Sequence, residues 1–167
     1  MAGARVYWVP IRHTAVDLGS QAEQLRTPAE RLTAWWHRLT ERVLALPLAW
    51  PQVRIYQDSL PVCAFTTTIV RDLANQGSPN YQLVQSLLER GAHLEGTEDP
   101  ELLKRELALA HTPDLAEAAR LVLARDAFIA QRLVITLQAH ETALLFLGAA
   151  HRPLAHLPVD WTSTIVN

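Results

Sequence analysis

The chain has 167 residues, a formal net charge of −2 and a single cysteine. That near-neutral balance gives no electrostatic reason for broad nucleic-acid or membrane-surface binding, and a lone cysteine excludes an internal disulfide. The length fits one domain over 1–167 with room for a real core. The first residues, Met1 to Trp8, lack the basic-then-apolar layout of a signal peptide. No apolar run reaches membrane-spanning length, so the expected location is cytoplasmic.

Val6 to Ile11 alternates β-favouring residues and leads to Pro10 and His13, which reads as a strand with the proline near its end. Ser20 to Glu23 and Thr27 to Glu30 both have capping-box spacing, the second with a proline expected at the first helical position. The helix that follows carries Leu32, Trp35, Trp36, Leu39, Val43 and Leu46 on one face and is stopped by Pro47. Adjacent tryptophans cannot both face one core, so one of Trp35 and Trp36 is expected to cover a domain rim or a homodimer partner.

Val53 to Tyr56 is a short second strand. From Leu60–Pro61 the spacing predicts a helix with Val62, Phe65, Ile69 and Leu73 on its stripe and Gly77 as terminator. Cys63 lies near its start among apolar neighbours and is expected to be a small core residue. Ser78–Pro79 opens another helix that ends at Gly91, and Ala92 to Leu94 is a brief third strand before a polar turn, Glu95 to Asp99. Asp99–Pro100 and Thr112–Pro113 begin two further helices. The second runs from about Pro113 to about Ala139 with Leu115, Val122, Asp126, Ile129, Leu133 and Leu137 on its apolar stripe. Leu144 to Leu147 is a continuous apolar run closed by Gly148, Ala149 and Ala150, the pattern of a strand buried on both faces. Thr164 to Val166 adds a small last strand.

Strands separated by helices, with no hairpin signal between them, argue for βαβ units. The expected fold is a three-layer α/β domain with a mainly parallel sheet of four to five strands. In such a sheet the carboxyl ends of the strands carry His13, Asp58 and His151, with Glu98 following the third strand. These four can bind metal or move protons. Asp126 is the second clue: a carboxylate on an apolar helix stripe is costly unless paired. It either forms a buried pair with Arg71 or Arg54, or orients the imidazole of His13 or His151. Arg12, Arg125 and Arg152 each adjoin a candidate site residue and are expected to hold an anionic substrate. Absent are HExxH, CxxC, a phosphate-binding GxxxxGKS, GxGxxG and a GxSxG elbow.

Three pieces of the chain resemble the TraB family within the erythromycin-esterase/ChaN-like superfamily. They are the histidine closing the first strand (Val9 to His13), the acid closing the second (Ile55 to Asp58), and Arg125–Asp126 ahead of Leu147-Gly-Ala-Ala-His151. The family typically has Gly-Thr-x-His at the first place and glutamate at the second; here Pro10-Ile11-Arg12 precedes the histidine and aspartate replaces glutamate. Members include metal-dependent proteases and esterases, so the resemblance implies a site more firmly than a substrate.

Together these readings lead to the expectation of a small hydrolase, with a divalent metal on His13 and His151 or with those imidazoles as base and acid. Asp58 or Glu98 completes the site and Asp126 fixes an imidazole; a phosphodiesterase acting on a small nucleotide is one subclass. The alternative is a non-catalytic module that senses an anionic metabolite or signalling nucleotide in the same cleft.

Overall fold

The computed structural model describes residues 3–19, 22, 25–109 and 111–166. Five strands form one sheet: β1 (Arg5–Ile11), β2 (Val53–Pro61), β3 (His93–Glu98), β4 (Thr142–Gly148) and β5 (Thr162–Ile165). Their order is β3-β2-β4-β1-β5 and every pairing is parallel. Six helices connect them: α1 (Ala15–Leu18), α2 (Ala29–Leu44), α3 (Thr66–Asn75), α4 (Pro79–Glu89), α5 (Pro100–Leu109) and α6 (Leu115–Thr136). The three-layer α/β expectation holds. Among the described residues no helix is long and apolar enough to cross a membrane.

Side chains of β4 alternate between two cores because successive residues of a strand point to opposite faces. Leu144 and Phe146 join the core beneath α2, α3 and α4, with Val9, Ile55, Trp36, Leu39, Val84 and Leu87. Leu145 and Leu147 join the core beneath α6, with Val6, Tyr56, Ile129 and Leu133. An apolar residue at every position is thus what a strand covered on both sides requires.

The chain steps from β1 through β2 to β3 in one direction across the sheet, then reverses to place β4 between β2 and β1. Helices of the first half cover one face and α6 covers the other. Loops that follow β4 and β1 therefore leave to opposite sides at their carboxyl ends, the place where open parallel sheets bind ligands. His13, Asp58 and His151 belong to those ends.

Several boundaries differ from the sequence reading. β2 does not stop at Tyr56 but continues to Pro61, so the following helix begins at Thr66 and Phe65 is 68% exposed. Cys63, expected in the core, is exposed for the same reason. The supposed polar turn Glu95 to Glu98 is strand: Gly96, Thr97 and Glu98 are all buried in β3. Thr27 does not cap α2; Pro28 holds that position without a side-chain bond. α6 starts at Leu115, capped by Asp114, whose carboxylate accepts from the N–H of Ala116 and Glu117 at 2.9 and 3.0 Å. Leu115, placed on the apolar stripe by spacing, is 90% exposed in that first turn. The capping box at Ser20 to Glu23 falls largely outside the described residues. Gly77 and Gly91 do end helices α3 and α4, with φ of 92° and 98°.

The tryptophan pair is satisfied within the chain. Trp36 is buried and its Nε1–H donates to the Arg12 carbonyl at 3.0 Å. Trp35 stacks edge-on to it at 5.0 Å and carries the Arg12 guanidinium over its own ring, also at 5.0 Å. Trp35 remains partly exposed.

The far end of β2 is irregular, and that irregularity positions the site. Gln57 pairs with Gly96 and Pro61 with Glu98, so Asp58, Ser59 and Leu60 together oppose Thr97. Ser59 has φ of 61°, a left-handed conformation that bends the strand. The bent segment crosses so close to β3 that a Cβ on Gly96 would lie 2.5 Å from the Pro61 carbonyl oxygen. Gly96→Ala is expected to lower stability by about 1–3 kcal/mol, as overpacking against backbone does. Urea unfolding checks this, and an unchanged midpoint would contradict the close approach.

Candidate active site

Two elements converge on Asp58. The bulge of β2 turns its side chain toward the carboxyl end of β4, where the Gly148 N–H donates to Oδ2 at 2.9 Å. Gly148 has to be small here: a Cβ would sit 3.2 Å from that same oxygen and 3.7 Å from His13 Nε2. From α6, Arg125 reaches the other oxygen, its terminal nitrogen donating to Oδ1 at 3.1 Å. Asp58 is fully enclosed, 2% exposed.

Arg125 also chelates Glu98. Its Nε donates to Oε2 at 3.0 Å and the same terminal nitrogen to Oε1 at 2.8 Å. The remaining nitrogen donates to Glu106 of α5 at 2.5 Å. One guanidinium thus binds three carboxylates, two of them buried, in the forked geometry that suits arginine and not lysine.

The charge balance separates the two buried acids. Burial by itself would raise Asp58, but His151 when protonated, the Arg125 charge, the Gly148 N–H and His13 when protonated outweigh it and hold the carboxyl below its ordinary range. For Glu98 burial prevails, and with the Asp58 charge beside it lifts the carboxyl above its ordinary value despite the Arg125 hydrogen bonds. The two carboxyls are thus pushed in opposite directions, Asp58 toward the ionised form and Glu98 toward the protonated one.

Two imidazoles flank the ionised acid. His151 Nε2 is 3.8 Å from Asp58 Oδ1 and His13 Nε2 is 3.9 Å from Asp58 Oδ2. His151 is buried, whereas the His13 side chain is 35% exposed and forms the open side of the cluster. On its other edge His151 Nδ1 lies 2.7 Å from Asp126 Oδ1. Asp126 Oδ2 accepts the backbone N–H of Arg152 at 2.8 Å. A carboxylate only accepts, so Nδ1 carries the proton of the neutral ring and Nε2 presents its lone pair toward Asp58.

The expected site residues therefore meet. His13, Asp58, Glu98, Asp126 and His151 form one cluster, and Asp126 takes the orienting role rather than pairing with Arg71 or Arg54. Arg71 sits on exposed Asp72, and Arg54 on Glu141 and Glu95. Of the three arginines expected to hold an anionic substrate, one is enclosed in the cluster and two are exposed. Arg125 is buried among carboxylates, Arg12 lies over Trp35, and Arg152 donates to the carbonyls of Ala149 and His151 at 2.5 and 2.6 Å.

Some contributors escaped sequence reasoning. Ser59 brings its hydroxyl to 3.3 Å from Asp58 Oδ1 and its N–H to 3.4 Å from Glu98 Oε1. Glu106 was one charge among many on an exposed helix. Neither carries a local signal, since both act through a bulge and an ion pair that exist only once the sheet is assembled.

Asp58, Glu98 and His151 offer ligand atoms all within 4.8 Å of one another, a donor set suited in kind to a divalent metal. Arg125 already donates to both carboxylates of that set. A dication there would lie against a guanidinium, so the residues do not fit a metal unless Arg125 moves. No family model, curated protein or solved structure matches the chain.

The lowered Asp58 makes a pH prediction. Its folded carboxyl titrates below the unfolded one, so its contribution to stability is present above the unfolded value, about pH 4, and disappears as pH falls through the folded value. Wild type is expected to exceed Asp58→Asn in urea stability by more at pH 6 than at pH 3. A constant difference across that range would contradict the assigned charge.

Proposed function

We propose that the protein is a hydrolase acting on a neutral carbonyl bond, an ester or amide, by acid–base chemistry between His151 and His13. The observation that carries this reading is the line of groups Asp126–His151–Asp58–His13, with one imidazole oriented by a carboxylate and both Nε2 atoms beside a second carboxylate. The gap of 3.8 Å between His151 Nε2 and Asp58 Oδ1 suits a water that donates to both at about 2.8 Å each.

In the proposed step that water attacks the carbonyl carbon and His151 Nε2 takes its proton. The resulting imidazolium is stabilised by Asp126 on one side and Asp58 on the other. Protonated His13 gives its Nε2 proton to the leaving oxygen or nitrogen as the bond to carbon breaks. The products are a carboxylic acid and an alcohol or amine, and net proton transfer through solvent from His151 to His13 resets the pair. Arg125 keeps Asp58 ionised and takes no part in proton movement.

A phosphodiester substrate would rest on exposed Arg12 and Arg152 alone, since Arg125 is enclosed by Asp58, Glu98 and Glu106. The resemblance to the TraB family supports the same residues, with aspartate at the position of the usual glutamate.

The test is hydrolysis of 4-nitrophenyl esters, 4-nitroanilides and bis(4-nitrophenyl) phosphate, with chelator and with added zinc or manganese. Ester or anilide cleavage that survives the chelator is expected. His151→Ala is expected to reduce it by about 10²–10⁴-fold while the protein stays folded. Asp126→Asn is expected to fall by a similar order, since an amide can donate to Nδ1 and leave Nε2 protonated. Cleavage that appears only with metal, or no cleavage of any substrate by folded protein, would overturn the reading.

A further inference from the structure

A cavity of about 700 Å³ lies between α1, α2 and α4. Its wall includes Thr14, the residue directly after His13 in the chain, though none of the cluster residues themselves. The strip between them is rigid: Trp36, on the cavity floor, donates to the Arg12 carbonyl, and the Thr14 N–H and hydroxyl donate to Asp17 at 2.6 and 2.8 Å.

The lining is apolar in effect as well as in composition. Leu32, Trp36 and Leu83 are buried at its floor. Three of the polar residues around them already donate to the fold: Thr33 to the Ala29 carbonyl at 3.0 Å, Ser86 to the Leu83 carbonyl at 2.8 Å, and Gln82 to the Ala74 carbonyl at 3.2 Å; His37 and Thr40 are the other polar side chains of helix α2 in the wall. A ligand with polar groups would find few donors here, while a hydrocarbon would lose nothing by entering. Volume and lining match those of small-molecule pockets.

We infer that this cavity holds the hydrocarbon arm of the substrate while the scissile carbonyl rests between His13 and His151, so the preferred substrates are esters of medium or long acyl chains. The inference rests on the hydrolase reading above and adds its substrate class. Burial favours an approach from the His13 side: His151, Asp58 and Glu98 are buried, His13 is the more exposed member of the cluster, and the next residue, Thr14, belongs to the cavity wall.

The experiment compares 4-nitrophenyl acetate, butanoate, octanoate and dodecanoate on wild type, Thr33→Trp and Leu83→Trp, with thermal shift by free octanoic and dodecanoic acids as a second readout. Thr33 is an exposed residue of the wall, so its variant keeps the test open if Leu83→Trp fails to fold. Wild-type kcat/KM is expected to rise up to about fourfold per added methylene until the cavity is filled. In Thr33→Trp the octanoate-to-acetate ratio is expected to fall at least tenfold, and the acids are expected to stabilise wild type but not the variant. Acetate cleavage without chain-length preference, or a preference and thermal shift untouched by Thr33→Trp, would overturn the cavity assignment and leave the hydrolase reading standing. Acid-dependent stabilisation lost in Thr33→Trp, with no ester cleaved, would support the cavity and overturn the hydrolase reading.

Discussion

The guanidinium of Arg125 is the constraint on which this site depends. It is buried with Asp58 and Glu98, two acids from adjacent strands, and no other described arginine or lysine pairs with either. Removing one member of such a buried ionic group typically costs about 3–5 kcal/mol, because the charges left behind have neither water nor partner. The arrangement is asymmetric. Glu98 receives two bonds from Arg125, whereas Asp58 receives one and has its remaining oxygen on the Gly148 N–H. That asymmetry leaves Asp58 facing both imidazoles, where neighbouring charge and the Gly148 N–H overcome the cost of burial, whereas burial prevails at Glu98.

Topology makes this possible. Placing β4 between β1 and β2 sets His13, Asp58 and His151 on three adjacent strand ends, although the first and last are far apart in the chain. Regular pairing alone would not complete the cluster. The bulge at Asp58 to Leu60, eased by Gly96, lets the end of β2 turn over β3 and brings its acid next to Glu98. α6 then contributes two successive residues to different partners: Arg125 to the acid pair and Asp126 to His151. Adjacent helical side chains diverge, and here the divergence lets one turn of helix serve both halves of the site.

Much of this was legible in the sequence for physical reasons. The unbroken apolar run Leu144 to Leu147 announced a strand covered on both faces, and Asp126 on an apolar stripe announced a buried carboxylate in need of a partner. Both readings use the cost of exposing apolar surface or burying charge, which is local to the residue. What escaped depends on pairing across the sheet. Glu95 to Glu98 reads as a turn because its residues are polar or small, yet Thr97 and Glu98 are buried once Arg125 arrives. The second half of β2 was missed because a left-handed serine and a three-to-one bulge have no periodic signature. The place of Arg125 was hidden for a related reason: proximity in sequence to site residues does not reveal which carboxylates will claim a guanidinium.

A cluster that supplies its own cation differs in kind from one that recruits a metal, although the same aspartate, glutamate and histidine would serve either. Calorimetric titration of zinc and of manganese into metal-free wild type, Arg125→Met and His151→Ala separates the two. If Arg125 fills the cationic position, wild type takes up neither ion at micromolar concentration. Stoichiometric binding by wild type that is lost in His151→Ala would contradict the account at its centre.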